Sequence, residues 1–425
     1  MKITRRDFNK LAGTTAVALA APGVCAPAIA QNTPIKFGVL AAKTGIGASI
    51  GEPGLRATEI AVERLNKEGG IGGRKIQLFV EEETNPKDTI ERYRKLVVQE
   101  KCDVVQGLIS TGTALAVAPV AEEEQALLMM WDGTTQDGVK ETMPKPRYVF
   151  RSTDNECEAV MASLLAVKYF KGKFKTIAGI NPDYSYGRNN WQAFREILKR
   201  YDIQAEVVGE FWPKVGTMDL TSHVAALKAA KPDVIFSSML FADLPVFLKQ
   251  GHAAGLFETS KLVMPTATAQ LRELNKEHIP EGNILAYNTM YFAHPNASQL
   301  QKDFVREYIA RYNGEVPHWV ADRAYFNVAA YKGGVEKAMK ATGRWPKIEE
   351  IIEAILGIEV ESLGGKARYR EDKIAEQMFY QGPTTNKNEY KFPTLAVVEG
   401  FSAKDLQKPV GADFWEWIKT AKFPV

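Results

Sequence analysis

The sequence predicts an α/β protein built as two doubly wound lobes. Three observations predict it. Short apolar runs rich in β-branched and aromatic residues alternate with longer stretches of helical periodicity. That alternation runs through once and restarts near residue 148. The 425 residues are 45% hydrophobic and 25% charged, ordinary globular proportions over a length that suits two or three domains.

Taken in order, residues 35–42 read as a strand, with Phe37, Val39 and Leu40. Residues 55–68 read as a helix and 75–80 as a second strand. The helix at 88–100 carries Ile90, Tyr93, Leu96 and Val97 at helical spacing. Strands at 103–109 and 126–131 enclose a helix at 113–124. After a possible crossing strand at 148–151, helices at 157–170, 186–201, 218–230 and 244–254 alternate with strands at 175–181, 205–211, 233–239 and 262–264. Such βα repetition implies parallel sheets covered on both faces. The rhythm then changes. A strand at 283–288 precedes long helical stretches at 298–312 and 318–341. The tail holds strand-like runs at 377–380 and 395–398 and the aromatic group Phe414, Trp415 and Trp417.

Residues 1–30 read as an address. Lys2, Arg5, Arg6 and Lys10 form a basic start, an apolar stretch follows, and Ala28-Ile29-Ala30 offers a small-x-small cleavage site. The paired arginines in Thr4-Arg5-Arg6-Asp7-Phe8 resemble a twin-arginine export signal. Gly13, Pro22, Gly23 and Pro27 interrupt the stretch, which argues against a membrane anchor. The expected location is the periplasm, after cleavage behind Ala30. Cleavage removes four basic and one acidic residue, leaving 50 of each sign. A neutral chain gives no footprint for nucleic acid. Cys102 and Cys157 remain, and two buried, unpaired thiols is the favoured reading over a disulfide.

The motifs narrow the choice. Gly45, Gly47 and Gly51 form a glycine-rich strand-to-helix turn, a loose form of a dinucleotide fingerprint, but the acidic partner expected about 20 residues on is missing. Gly69-Gly70-Ile71-Gly72-Gly73-Arg74 ends a helix and turns the chain into a strand. Asn85-Pro86 opens the next helix. Gln106-Gly107-Leu108-Ile109-Ser110-Thr111-Gly112-Thr113-Ala114, Pro119-Val120-Ala121-Glu122, Asp183-Tyr184-Ser185-Tyr186-Gly187 and Ala230-Lys231-Pro232-Asp233-Val234 follow in order. Together these strings resemble the type I periplasmic binding proteins, and within them the branched-chain amino acid and amide receptors of ABC transporters. The resemblance covers nearly all of residues 34–365.

It implies two Rossmann-like lobes joined by a three-stranded hinge, with the ligand cleft between them. The expected division is residues 31–150 plus 286–365 for the first lobe and 151–285 plus 366–425 for the second. It also implies a monomeric receptor that serves a membrane permease, with a small molecule as ligand and no cofactor.

Site residues follow position by position. Ser110 and Thr111, at a strand-to-helix turn, suit an anionic or polar ligand end, with helix capping as the competing role. Gly133, Thr134 and Thr135 match the segment that completes a carboxylate grip. Trp131 and Asp132 flank it, the tryptophan either stacking on ligand or filling core. Tyr186 is expected as a lid residue, or else as a surface tyrosine in its turn. Phe241 falls where the family carries an aromatic. One departure stands out: Thr266 occupies the position of the carboxylate that holds a ligand ammonium. Either Asp243 or Asp132 substitutes, or the ligand has no ammonium. The expected ligand is therefore a small organic acid, an amide or a modified amino acid, in preference to an aliphatic amino acid. No Gly-x-Ser-x-Gly, His-Glu-x-x-His or Cys-x-x-Cys pattern supports an enzyme or a metal site. The Glu81–Glu83 run reads as a solvated face. An exported nicotinamide-dependent oxidoreductase and a soluble sensor for a chemoreceptor are the competing functions.

Overall fold

The computed structural model describes residues 33–132, 134–170 and 173–424. The expected export signal and Gly133 lie outside the described residues.

The first array is β1 (Ile35–Ala41), α1 (Ala48–Lys67), β2 (Ile76–Glu82), α2 (Pro86–Arg94), β3 (Val104–Gly107), α3 (Thr111–Glu123), β4 (Leu128–Met130), α4 (Gln136–Thr142) and β5 (Val149–Phe150). Its five strands pair in the order β2-β1-β3-β4-β5, all parallel. Adjacent residues bury on opposite faces, so Val104 and Val105 enter different apolar clusters. Local chemistry sets the boundaries. Asn85 accepts a hydrogen bond from Asp88 N at 3.0 Å, with Pro86 behind it, and this starts α2. In the glycine cluster, a Cβ on Gly70 would lie 1.9 Å from Arg74 O, and its φ is +84°. Only glycine permits that turn.

The second array is α5 (Asn155–Phe170), β6 (Thr176–Ile180), α6 (Ser185–Arg200), β7 (Glu206–Phe211), α7 (Thr221–Ala230), β8 (Val234–Phe236), α8 (Asp243–Ala253), β9 (Lys261–Met264) and β10 (Ile284–Asn288). Then come α9 (Gln299–Arg311), α10 (Trp319–Thr342), α11 (Ile348–Ile355), β11 (Glu359–Ser362), β12 (Gly365–Tyr369), β13 (Ala375–Glu376), β14 (Met378–Thr385), β15 (Thr394–Leu395), β16 (Glu399–Ser402), α12 (Ala403–Leu406) and α13 (Phe414–Ile418). The second sheet runs β15-β14-β10-β9-β8-β6-β7, with β16 also on β14. Its strands β7, β6, β8, β9 and β10 are parallel, and β14 joins β10 antiparallel. A separate antiparallel sheet, β11-β12-β13, packs beside α10.

The chain leaves the first sheet after β5, leaves the second after β10, and re-enters it between β13 and β14. The expected passages at 285/286 and 365/366 instead fall inside β10 and at the start of β12. The crossing segments lie side by side: Arg151 bridges Ile374, and Thr153 Oγ1 donates to Ala375 O at 2.9 Å. Buried Asp322 of α10 ties them down, accepting from Gly364 N and Gln377 Nε2, each at 2.8 Å. Cys102 and Cys157 are free thiols. No helix among the described residues is long and apolar enough to cross a membrane.

Candidate functional site

In open α/β sheets, ligands collect beyond the carboxyl ends of the strands. Here both sheets direct those ends at one small cavity of about 20 Å³. From the first array it is lined by Ile50, Ile109, Thr111 and Asp132, and from the second by Asn155, Tyr184, Tyr186, Leu240, Thr266 and Ala269; Trp319 of α10 completes it. That volume is near the minimum for a single water.

The turn into α3 is built under strain. Gly107 has φ +135°, and a Cβ there would lie 1.9 Å from Leu40 O. Leu108 follows at φ +68°, in the left-handed region that a branched side chain rarely occupies. This pair lifts the chain sharply to Ser110, the N-cap of α3. Glu83 lies beneath it, 4% exposed, and accepts from Ile109 N at 2.9 Å, Ser110 N at 3.1 Å and the Thr113 hydroxyl. Burial pushes its carboxyl up to about 7, with those hydrogen bonds pulling the other way. The solvated face expected for residues 81–83 is thus corrected at Glu83. Past the strand end its side chain turns inward to satisfy the amides of the strained turn.

The sequence candidates divide. Thr111, Asp132, Tyr186 and Thr266 come together in the cavity. Ser110 sits beside it as the helix cap. The Tyr186 and Thr266 hydroxyls are 2.9 Å apart, and the Tyr186 ring stacks on Tyr184 at 5.8 Å. Trp131 fills core instead: it is fully buried, and a Cβ on Gly54 of α1 would meet its ring at 2.7 Å. Thr134 is buried away from the cavity, and Thr135 caps α4 through Gly138 N at 3.4 Å. Phe241, at φ +59°, turns into core, so its neighbour Leu240 reaches the cavity. Asp243 faces away, with both carboxyl oxygens 2.9 Å from Gly216 N.

Behind the cavity lies an ion cluster that the sequence reading missed. Arg323 of α10 donates to Asp132 Oδ1 at 2.5 Å and to Glu158 Oε1 of α5 at 2.7 Å. The Arg323 and Glu158 side chains are each 1% exposed. Burial pushes the Glu158 carboxyl well above the carboxylate range, and the neighbouring Arg323 charge only partly offsets this. The guanidinium also stacks over Trp319 at 4.2 Å, which orients that ring toward the cavity. His318 caps α10 and meets Ser49 O at 2.9 Å, and burial pushes its imidazole down to about 4. At the rim, Arg272, which follows β9, reaches α1: its Nη2 is 2.8 Å from Glu52 Oε2 and its Nε is 3.3 Å from Glu315 Oε2. Arg272 thus latches the two arrays together across the cleft. The only sequence signal for these groups was the i, i+4 spacing of Trp319 and Arg323.

Residues 34–388 match the periplasmic binding protein family. Among curated proteins, the chain is 29% identical over 232 residues to Leu/Ile/Val-binding protein homolog 3 of Brucella melitensis, covering 54% of this chain and 61% of that one. It is 29% identical to homolog 7 of Brucella suis, covering 56% and 60%. The matched region thus spans about three fifths of these relatives. Among solved structures, an ABC-transporter solute-binding protein of Rhodopseudomonas palustris in complex with 3,4-dihydroxybenzoic acid superposes with TM-score 0.73 at 23% identity, covering 87% of this chain and 98% of that one. A branched-chain amino acid transporter protein of the same species gives TM-score 0.68 at 21% identity, covering 89% and 100%. The extent of the family match, together with two parallel sheets facing one cavity, places this chain in the periplasmic binding protein family.

Proposed function

We propose that the protein is an exported, monomeric solute receptor that closes two lobes over a small organic acid or amide and delivers it to the permease of an ABC transporter. The observation that carries this reading is the shared cavity, whose walls come from the strand ends of both sheets. Ligand contacts made on both sides favour the closed arrangement by their differential affinity, and the closed surface is what a permease would select.

The ligand class follows from charge. A ligand ammonium needs a buried carboxylate partner. Thr266 offers a hydroxyl already matched to Tyr186, Asp243 faces Gly216, and Asp132 is held by Arg323. The first turn of α3 at Thr111 offers amides to a carboxylate or carbonyl. Ile50, Ile109, Leu240 and the rings of Tyr184, Tyr186 and Trp319 suit a flat apolar body. Benzoate and hydroxybenzoates occupy solved proteins of this fold, which agrees with that class.

A thermal-shift screen tests the assignment. An organic acid or amide should raise the melting temperature, and leucine should leave it unchanged. Tight leucine binding would sink the ligand class. A flat response to every class would sink the receptor itself. Cell fractionation of the full chain and an Arg5→Lys/Arg6→Lys variant tests export, with retention of the variant in the cytoplasm expected.

A further inference from the structure

Two residues of the cavity wall each carry a buried polar atom with no hydrogen-bond partner among the described residues. Trp319 is 2% exposed, and its indole Nε1–H is buried without a hydrogen-bond acceptor. Asn155 is also 2% exposed, and its Oδ1 is buried without a donor. Both residues line the same water-sized space. They come from opposite sides of the cleft: Trp319 opens α10, which packs on α1 of the first array, and Asn155 opens α5, which packs on α6 of the second. Of the other polar groups in that wall, Tyr186 is matched with Thr266 and Asp132 with Arg323.

A buried donor and a buried acceptor left unmet are costly, and native structures rarely tolerate such a pair without a reason. The chemistry of the pair restricts what can meet both. A carboxylate accepts from the indole but repels the Asn155 oxygen. An ammonium donates to Asn155 but repels the indole N–H. An alkyl group meets neither. An amide meets both only with two separate atoms, whereas a hydroxyl accepts from one and donates to the other through a single oxygen, which suits a space of about 20 Å³.

We propose that Trp319 and Asn155 form a reader, one half on each lobe, for a hydroxyl group of the ligand, so that the solute is a hydroxylated organic acid. This rests on the receptor reading above and narrows it. Sites built to hydrogen-bond a ligand hydroxyl reject the analogue that lacks it, because their own polar groups are then left unpaired. Because the two atoms sit on different lobes, the hydroxyl also rewards closure directly.

The test uses matched probes on the mature chain: benzoate against 3- and 4-hydroxybenzoate, butyrate against 3-hydroxybutyrate, and benzamide, each measured by titration calorimetry. At least one hydroxylated probe should bind about 10-fold or more tighter than its parent. Trp319→Phe keeps an aromatic ring for Arg323 to stack on and removes the indole N–H together with the five-membered ring. It should bring that preference to within about 2-fold, on the same hydrogen-bond accounting, the readout being the ratio of hydroxylated to parent affinity within the one variant. Asn155→Ala should do the same and carries the test if Trp319→Phe folds poorly. Equal binding of parent and hydroxylated probes overturns the reader but leaves the receptor standing, as does a preference that survives both substitutions. Tighter binding of benzamide than of every hydroxy acid also overturns it, since an amide can satisfy both atoms without a hydroxyl. If no acid or amide binds, the ligand class itself has failed, and the reader with it.

Discussion

Arg323 is the most exacting point in the structure to perturb, because one buried cation serves two carboxylates. Arg323→Met removes the charge but keeps an unbranched side chain over Trp319. It breaks two charge-assisted hydrogen bonds, of 2.5 Å to Asp132 and 2.7 Å to Glu158. Removing one partner of a buried ion pair usually costs about 3–5 kcal/mol. Here the lower end applies, about 3 kcal/mol, because Glu158 can shed its charge by taking a proton, the direction in which burial already drives it. Glu158→Gln should behave differently. It retains an oxygen to accept from Arg323 and removes a charge that burial disfavours, so the expected loss is smaller, within about 1 kcal/mol. Urea unfolding at pH 7, followed by tryptophan fluorescence, measures both. A Glu158→Gln cost equal to that of Arg323→Met would show that Glu158 is ionised in the fold and refute the assignment.

Two further predictions concern charged groups at the rim and beneath the cavity walls. Arg272→Ala cuts the latch to Glu52 and Glu315, whose side chains are about a third exposed, so each contact contributes roughly 0.5 kcal/mol. Ligand affinity should fall about 3- to 5-fold in low salt and by less in 0.5 M salt, and calorimetry showing equal affinities in low salt would remove the latch. Raising the pH from 6.5 to 8 should destabilise the protein by at least about 1 kcal/mol. Glu156 is fully buried in the first turn of α5, where it accepts from Gln136 N at 2.9 Å and Asn189 Nδ2 at 2.8 Å. Glu83 and Glu156 have folded pKa values raised to about 7, and Glu158 is raised in the same direction, so the native state holds protons the unfolded state lacks, and stability is lost as pH rises through those values. His318, lowered to about 4, acts oppositely, its contribution being lost as pH falls from its unfolded value, which makes only a small opposing change in this window. Denaturation curves at the two pH values check the sign.

The alternating fold was legible because strands buried on both faces read as unbroken apolar runs, as Phe37 to Leu40 and Val234 to Phe236 do. Strand ends were legible for the same reason, and it was the family resemblance that assigned Thr111, Asp132, Tyr186 and Thr266 to the site beyond them. The rest of the site obeys no local rule. Trp319 lies at the start of a helix far along the chain, and Asn155 lies in a crossing segment whose path depends on the packing of Asp322 and Thr153. Glu83 looked solvated because its neighbours Glu81 and Glu82 are only partly buried. Its burial is a tertiary effect of the strained turn above it. The left-handed backbone at Phe241, which exchanges it for Leu240, likewise leaves no mark in residue type.

The smallness of the cavity bears on kinetics. A space of about 20 Å³ admits a water but not an organic acid, so a solute of the proposed class could enter or leave only with the two walls parted and the Arg272 contacts broken. Release must then wait for opening, however weakly the solute is held. Across a series of ligands, the dissociation rate would approach a ceiling set by hinge motion and not by the individual contacts. A permease that parts the lobes would act on that ceiling directly, turning a slow spontaneous event into a triggered one.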